Sequence, residues 1–245
     1  MLPVLALAIS AAMPVAERTI PVSPFHALRL ETVATVHVSI SNQRRVIVKG
    51  DPRTIACIVA GANDGALLID WRKRPSHENA GTGSNADVVV LGLKGCRRAS
   101  GPDDIQVVVE TPSLDSAALS AHIGKIILGP MRVDRLDAAI PGQGDIAIQG
   151  LTARATRLSI GGHGRITATG QLGDLRESIA GSGLIDSARA TASVLNVSIA
   201  GHGQIAADVD GPASGTIAGM GTVIVHGRPV CTIHKSGKGK IACPA

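Results

Sequence analysis

A short glycine motif recurs seven times in the second half of the chain and limits what the chain can fold into. Its copies are HIGKI, GQGDI, GHGRI, GSGLI, GHGQI, GMGTV and GKGKI, spaced 18 to 20 residues apart. Self-similarity at this period is typical of a solenoid in which each repeat forms one coil. We therefore predict an all-β fold, a parallel β-helix or β-solenoid, with 18–20-residue coils marked by GxGx[IV].

Alternation with period two inside each repeat predicts which side chains point inward. The first of three columns should form one buried ladder, since parallel coils align like with like at about 4.8 Å. The second column is a further inward candidate, and the third is an aliphatic residue that precedes the motif. The first column is Ile126, Ile146, Ile166, Ile185, Ile205, Val223 and Ile241; the second is Leu128, Ile148, Ala168, Ser187, Ala207, Val225 and Cys243; the third is Ile140, Ile160, Ile179, Ile199 and Ile217. Glycines mark the tight turns, so each coil is predicted to have two short strands and two turns.

The apolar residues are almost all small or aliphatic, because the chain has one Trp, one Phe and no Tyr. Single-stranded nucleic acids and sugar rings are commonly held on aromatic faces, so we expect no nucleic-acid partner, and the same scarcity weighs against recognition of sugar rings by stacking. The net charge of +5 favours contact with anionic surfaces. A candidate anionic-ligand patch consists of two basic runs, the alternative being solvated loop and edge residues. The runs are Arg72, Lys73 and Arg74, and Arg97 and Arg98.

Two histidines occupy the middle position of the GxG turn, where other repeats carry unrelated side chains. His163 and His202 are two repeats apart, which separates their backbones by nearly 10 Å at the usual strand spacing. We interpret both as turn residues and expect neither a metal site nor a cofactor. A calcium-binding GGxGxD repeat is excluded too, because Ile166 stands where GGHGRI would need its aspartate.

One column of polar residues could belong to an enzyme. The position thirteen after each marker glycine holds Asp137, Arg157, Glu177, Asn196, Thr216 and His234. Charges that alternate on neighbouring coils would form an ion-pair ladder that supports the register, whereas β-helical carbohydrate-active enzymes use clustered carboxylates. Because no second acidic column accompanies the first, we favour a non-enzymatic protein. A polysaccharide lyase or hydrolase on the same scaffold is the alternative.

The N-terminal stretch MLPVLALAISAAMPVAERT carries an apolar run of the length found in signal peptides. We predict a signal peptide over residues 1–16, with cleavage after Ala12 or Ala16, and no membrane span after its removal. Four cysteines in an exported chain favour disulfides. Cys231 and Cys243 would close a short C-terminal loop, which leaves Cys57 and Cys96 as a second pair or as two buried thiols.

Residues 17–115 lack the glycine motif but keep short β-branched runs separated by turns, such as TVHVSI, TIACIVAG and DIQVVVETP. Solenoid ends expose unpaired strand edges and need caps. We therefore interpret this part as irregular β coils that cap the stack. It would form one continuous domain with the repeat region, residues 116–245.

Three segments precede the string of GSGLI-type motifs: IPVSPFHALRLETVATVHVSI, VIVKGDPRTIACIVAGANDGALLID and IQVVVETPSLDSAALSAHIGKI. This order resembles the bacterial family of unknown function labelled "putative auto-transporter adhesin, head GIN domain", over nearly the whole chain after the signal. The resemblance implies export, a β-helical body and a surface or adhesive role, and it carries over no catalytic residues.

These observations predict an exported, non-enzymatic β-solenoid of the bacterial cell envelope, adhesin-like in function. Its location would be the periplasm, the outer-envelope surface or the extracellular space. Its expected partner is an envelope or surface polysaccharide or protein, and the sequence carries no signal of an oligomeric state.

Overall fold

A computed structural model of the chain describes residues 15–71, 101, 104–112, 114 and 116–244. The strands in these ranges belong to one continuous sheet that winds into a β-solenoid of about six turns. The predicted all-β solenoid with coils of about 20 residues is confirmed.

Seven strands and one short helix are described before residue 112. They are β1 (Ala16–Pro21), β2 (Ala27–Leu30), β3 (Thr35–Ile40), β4 (Arg45–Gly50), α1 (Pro52–Ile55), β5 (Ile58–Asn63), β6 (Ala66–Trp71) and β7 (Ile105–Thr111). Helix α1 follows Asp51, whose carboxylate accepts hydrogen bonds from the backbone N–H groups of Arg53 and Thr54. Such a cap satisfies amide groups that a helix start leaves unpaired.

Eleven further strands form the regular coils. They are β8 (Ser116–Ala121), β9 (Ile123–Leu128), β10 (Met131–Ile140), β11 (Gln143–Ile160), β12 (Arg165–Gly181), β13 (Leu184–Gly201), β14 (Gln204–Val209), β15 (Pro212–Gly219), β16 (Thr222–Gly227), β17 (Val230–Gly237) and β18 (Lys240–Ala242). The pairings among them are parallel, and equivalent residues of successive coils lie side by side.

The predicted inward columns form ladders. The first runs in unbroken register from Ile126 to Ile241, and the third runs from Ile140 to Ile217. The second pairs in two runs, from Leu128 to Ala168 and from Ser187 to Val225. The members of these runs are buried, apart from half-buried Ile241 in the last coil. The core is thus a set of close-packed columns with almost no aromatic residue.

Each long coil turns at three places rather than the predicted two. In β11, buried and outward positions alternate except at Gln149–Gly150 and at Arg154–Ala155, where two consecutive residues are not buried. The strand therefore changes direction twice before the GGHG turn at 161–164 ends the coil. Glycine spacing alone could not predict the bend at Arg154–Ala155, because it contains no glycine.

The N-terminal strands continue the stack, but not in chain order. Strands β2 and β3 lie parallel to β8 and β9, and β6 and β7 form the next layer against β2 and β3. Beyond them β4 and β1 add to β7 in antiparallel orientation, and β5 pairs antiparallel with β6. These strands close this end of the solenoid and confirm the predicted N-terminal cap.

The predicted disulfide between Cys231 and Cys243 is present, with the two Cα atoms 6.7 Å apart. It ties β17 to the residue that follows β18. Cys57 is buried next to α1, whereas Cys96 lies outside the described residues, so the second predicted pair stays a prediction. Residues 1–14 of the predicted signal peptide also lie outside them.

Candidate functional site

The charged column predicted from glycine spacing is wrong at Glu177. Asp137 pairs with Arg157 as expected, but Arg157 then pairs with Arg176. Glu177 pairs with Leu158 and is 1 % exposed, so it points into the core. The register shifts at the turn after Ile148, where β12 has one residue fewer than β11. A count of thirteen residues from the marker glycine before β12 therefore reaches Glu177, one position beyond the true partner of Arg157. Thr216 and His234 belong to the next outward column.

The outward residues that follow the bend at Arg154–Ala155 form a regular polar surface on three successive coils, termed the serine side. Its members stand in two columns: Arg157, Arg176 and Asn196 in one, and Ser159, Ser178 and Ser198 in the other. The alternate residues of the same strands are buried in the core. The core therefore holds the backbone beneath this surface in place.

A depression of about 170 Å³ opens at one edge of the serine side and is termed the arginine cleft. It is lined by Arg135, Ala155, Thr156, Arg157, Asp174 and Arg176. Arg135, Ala155 and Asp174 are register partners on three successive coils. The short side chain of Ala155 therefore leaves the space between its two longer neighbours.

Asp137 balances the charge of two of the three arginines. Arg135 donates two hydrogen bonds to its carboxylate, Nε to Oδ2 at 2.8 Å and Nη2 to Oδ1 at 3.2 Å. These hydrogen bonds and the negative charge of Asp137 raise the pKa of Arg135. Arg157 Nε lies 3.9 Å from Asp137 Oδ1. Arg176, by contrast, forms no ion pair with any residue in the described ranges.

A larger, shallow depression of about 530 Å³ follows the GxG turns at the other edge of the serine side and is termed the corner groove. It is lined by Asp145, Gly164, Arg165, Ser182, Gly183, Leu184, His202 and Gln204. The coils approach closely at these turns. Gly201 has a φ of +130°, and a Cβ atom there would lie 2.6 Å from the carbonyl oxygen of Gly181. Only glycine fits such an approach without moving the neighbouring backbone.

Both turn histidines are part of this stacking through their backbones. The N–H of His163 donates to the carbonyl of Gly142 at 3.0 Å, and that of His202 donates to Gly181 at 2.9 Å. Their imidazole rings are exposed to solvent. The histidines are therefore turn residues, as the sequence indicated, and the ring of His202 also lines the corner groove.

The family model described as "Putative auto-transporter adhesin, head GIN domain" matches residues 24–229 of the chain. The chain belongs to this family. The resemblance noted in the sequence is thereby confirmed. In this member of the head GIN family the match includes the serine side, the arginine cleft and the corner groove.

Solved structures share the fold of this head GIN protein. A putative adhesin from Bacteroides fragilis NCTC 9343 has 18% sequence identity and a TM-score of 0.73, covering 94% of this chain and 97% of its own. A putative lipid binding protein from Parabacteroides distasonis ATCC 8503 has 17% identity, a TM-score of 0.64 and the same coverage. A putative adhesin from Parabacteroides merdae ATCC 43184 has 15% identity and a TM-score of 0.63, covering 94% and 96%. No match was found among curated proteins.

Two absences apply to the part of the head GIN chain that the structure describes. No group of three or more His, Cys, Asp or Glu side chains there could hold a metal ion. No helix there is long and apolar enough to cross a membrane.

The basic patch predicted from sequence falls in a part of the chain that the structure does not describe. All five residues, Arg72, Lys73, Arg74, Arg97 and Arg98, lie outside the described ranges, so the patch stays a prediction.

Sequence reasoning missed Arg135, Asp174 and Arg176. A better signal was available in the third inward column, because Arg157 and Arg176 each stand three residues before an aligned isoleucine, Ile160 and Ile179. Counting back from a buried column avoids the turn at which the coils differ in length. It would have placed the two arginines side by side.

Proposed function

We propose that this protein is exported to the bacterial cell envelope and acts there as a non-enzymatic, adhesin-like protein. Its partner would be an envelope or surface polysaccharide or protein held on the serine side. The supporting observation is the form of that surface, a regular polar array on three coils with an open depression along each edge. An array of this kind offers similar groups at each coil, which suits an extended partner bound by many small contacts.

The alternative of a carbohydrate-active enzyme has less support. Its acidic column required Glu177 on the outer surface, but that side chain is buried. The names of the structural relatives from B. fragilis and P. merdae refer to adhesins, which supports a binding role.

Export is supported by the Cys231–Cys243 disulfide, since such bonds persist in oxidising compartments. The proposed signal sequence lies within residues 1–16, with cleavage after Ala12 or Ala16. Ala16 is the first residue of β1 and pairs with Gly50 of β4. Cleavage after Ala12 would leave β1 whole, so we favour that position. The mature protein would be located in the periplasm, on the outer-envelope surface or outside the cell.

Binding of the purified mature protein to envelope fractions and to a glycan panel, measured across a salt series, tests this proposal. We expect saturable binding that Ser178→Tyr weakens, because a bulky ring would cover the serine side. Thr167→Tyr is the matched control, since it places the same ring on another side of the same coil. Absence of saturable binding, or equal binding by both variants, would count against the proposal, and shortening of a polymer during the assay would favour the enzyme.

The five basic residues of the predicted patch are proposed as a second contact for anionic partners. Replacing all of them with glutamine should reduce the salt dependence of binding, because fewer counterions would be displaced. An unchanged salt dependence would assign these residues to the solvated surface instead.

A further inference from the structure

We propose that the arginine cleft binds the carboxylate of an acidic polysaccharide, a polymer that contains uronic acid units. This inference rests on the proposed function, because it names a ligand class for one edge of the serine side. The observation behind it is a pair of neighbouring guanidinium groups, Arg157 and Arg176, whose charges do not stabilise the fold.

Arg157 and Arg176 are adjacent register partners on the same outward column of a parallel ladder. Like charges placed directly beside each other across strands destabilise a sheet. Asp137 reaches Arg157 only at 3.9 Å, and Arg176 has no ion-pair partner within the described ranges. A chain selected only for stability would place a carboxylate or a neutral residue beside Arg157. Two neighbouring guanidinium groups that lack one balancing negative charge instead suit the binding of an anion from outside the protein.

The charge of the cleft distinguishes among anions. Three guanidinium groups, those of Arg135, Arg157 and Arg176, face two carboxylates, those of Asp137 and Asp174. One positive charge is therefore left, which complements a monoanion such as a carboxylate. A dianionic phosphate would instead leave the cleft with one excess negative charge. Guanidinium groups present paired N–H donors that match the two oxygens of a carboxylate.

The neighbouring groups suit the rest of a sugar. Asp174 is exposed at the rim of the cleft. It forms no ion pair with any residue in the described ranges. A free carboxylate of this kind accepts hydrogen bonds from hydroxyl groups. Ser159 and Ser178 stand next to the arginine column and can both donate and accept. Coils repeat at about 4.8 Å, which is close to the length of one pyranose unit in an extended polysaccharide, so successive sugar units can meet successive coils.

The test compares the binding of the mature protein to polygalacturonate and to the methyl ester of the same polymer. Three variants are used: Arg157→Gln, Arg176→Gln and the control Arg189→Gln. Arg189 is an exposed arginine on the following coil that has no ion pair with a described residue and lies outside the cleft, so its loss changes the net charge equally. We expect wild-type protein to prefer the acid polymer, Arg176→Gln to weaken that binding about tenfold, and Arg189→Gln to change it by less than about twofold.

Thermal unfolding of the same variants supplies a second measurement. Arg176→Gln should keep or raise the melting temperature, because it removes a repulsion between neighbouring coils. Weaker binding together with unchanged or higher stability would support a binding role for Arg176. A melting temperature lowered by several degrees would show that Arg176 supports the fold and would overturn the proposal.

Other outcomes would overturn the proposal as well. These are equal binding by Arg176→Gln and Arg189→Gln, equal binding of acid and ester, or binding of poly-L-glutamate as tight as that of polygalacturonate, which would assign the cleft to acidic polypeptides. Envelope fractions in the same assay distinguish failure of the proposed ligand class from failure of the proposed function. If they bind while polygalacturonate does not, the ligand class is wrong and the proposed function stands. If neither binds, both proposals fail.

Discussion

Glu177 places a carboxyl group inside a stack of aliphatic side chains, between Leu158 and Val197 of the neighbouring coils. Ser187 Oγ donates a hydrogen bond to Glu177 Oε1 at 2.8 Å, and Oε2 has no hydrogen-bond partner among the described atoms. Burial raises the pKa of Glu177 from 4.5 to about 8, the hydrogen bond from Ser187 opposes this shift, and the charge of Asp186 adds to it. The side chain is therefore protonated at neutral pH, because desolvation disfavours its charged form.

This raised pKa predicts how stability depends on pH. Below pH 4.5 the folded and unfolded chains both hold the proton, whereas between 4.5 and about 8 only the folded chain keeps it. The free energy of unfolding should therefore fall as pH rises through this window and level off above it. Glu177→Gln cannot ionise, so it should be more stable than wild type at pH 9 by a few kcal/mol. Urea unfolding at pH 5, 7 and 9 measures this, and parallel curves for both proteins would contradict it.

Ile185 lies in the middle of the first ladder and is fully buried. Ile185→Asp should lower the free energy of unfolding by several kcal/mol, because it places an unpaired charge between two isoleucines. Leu184→Asp is the control, since that side chain is next in sequence but lines the corner groove. It should change stability by less than about 1 kcal/mol. Similar losses for the two variants in chemical unfolding would show that the column is not a continuous core.

Turns set the length of a coil, and one glycine shows how tightly they are constrained. Gly170 has a φ of +119°, and a Cβ atom there would lie 2.1 Å from the carbonyl oxygen of Leu151 in the preceding coil. It follows the point where the register between β11 and β12 shifts. Both the dihedral angle and the contact with backbone exclude larger residues.

Gly170→Ala should therefore destabilise the protein by about 2–4 kcal/mol, because the backbone of one of the two coils must move. Gly61→Ala in β5 is the matched control, since a Cβ atom there meets nothing within 4 Å. That change should be neutral or stabilise slightly, because alanine loses less chain entropy on folding. Urea midpoints of the two variants give the comparison, and equal midpoints would refute the close approach.

The molecule is close to one-dimensional, because each coil contacts only the coils above and below it. The two ends consequently differ from the middle. Antiparallel strands cap the N-terminal end, whereas β17 and β18 each pair with one neighbour only among the described strands. Lys235 replaces the isoleucine of the third column there, and the disulfide links Cys231 to Cys243. In such a stack, loss of order at an end need not spread.

Replacing both Cys231 and Cys243 with serine should therefore loosen the last coil alone. Closing a loop of this size contributes about 3 kcal/mol in the chain-entropy model. Hydrogen exchange should become faster in β17 and β18 and stay unchanged in β12 and β13, because opening is local. Exchange that rises uniformly along the chain would mean that the solenoid unfolds as one cooperative unit.

Sequence alone determined the solenoid, its period, the inward columns, the turn histidines and the C-terminal disulfide. Coils stacked in parallel repeat the same environment at each level, so a periodic sequence predicts register wherever successive coils have equal length. The family resemblance was also visible in the sequence, from the order of the N-terminal segments and the GSGLI-type motifs that follow them.

Only the tertiary structure decided what depends on unequal coils and on non-local pairing. At the turn near Gly170, β12 has one residue fewer than β11, and only the strand pairing shows that the difference lies at this turn. As a result Glu177 is buried and Arg176 lies beside Arg157. In β11 the third side of the coil starts at a bend without glycine. Strands β6 and β7 lie beyond β2 and β3 in the stack although they follow them in the chain. A one-residue slip reverses the face of every side chain that follows, and for this reason a count from the glycine marker missed the arginine cleft, which the strand pairing then revealed.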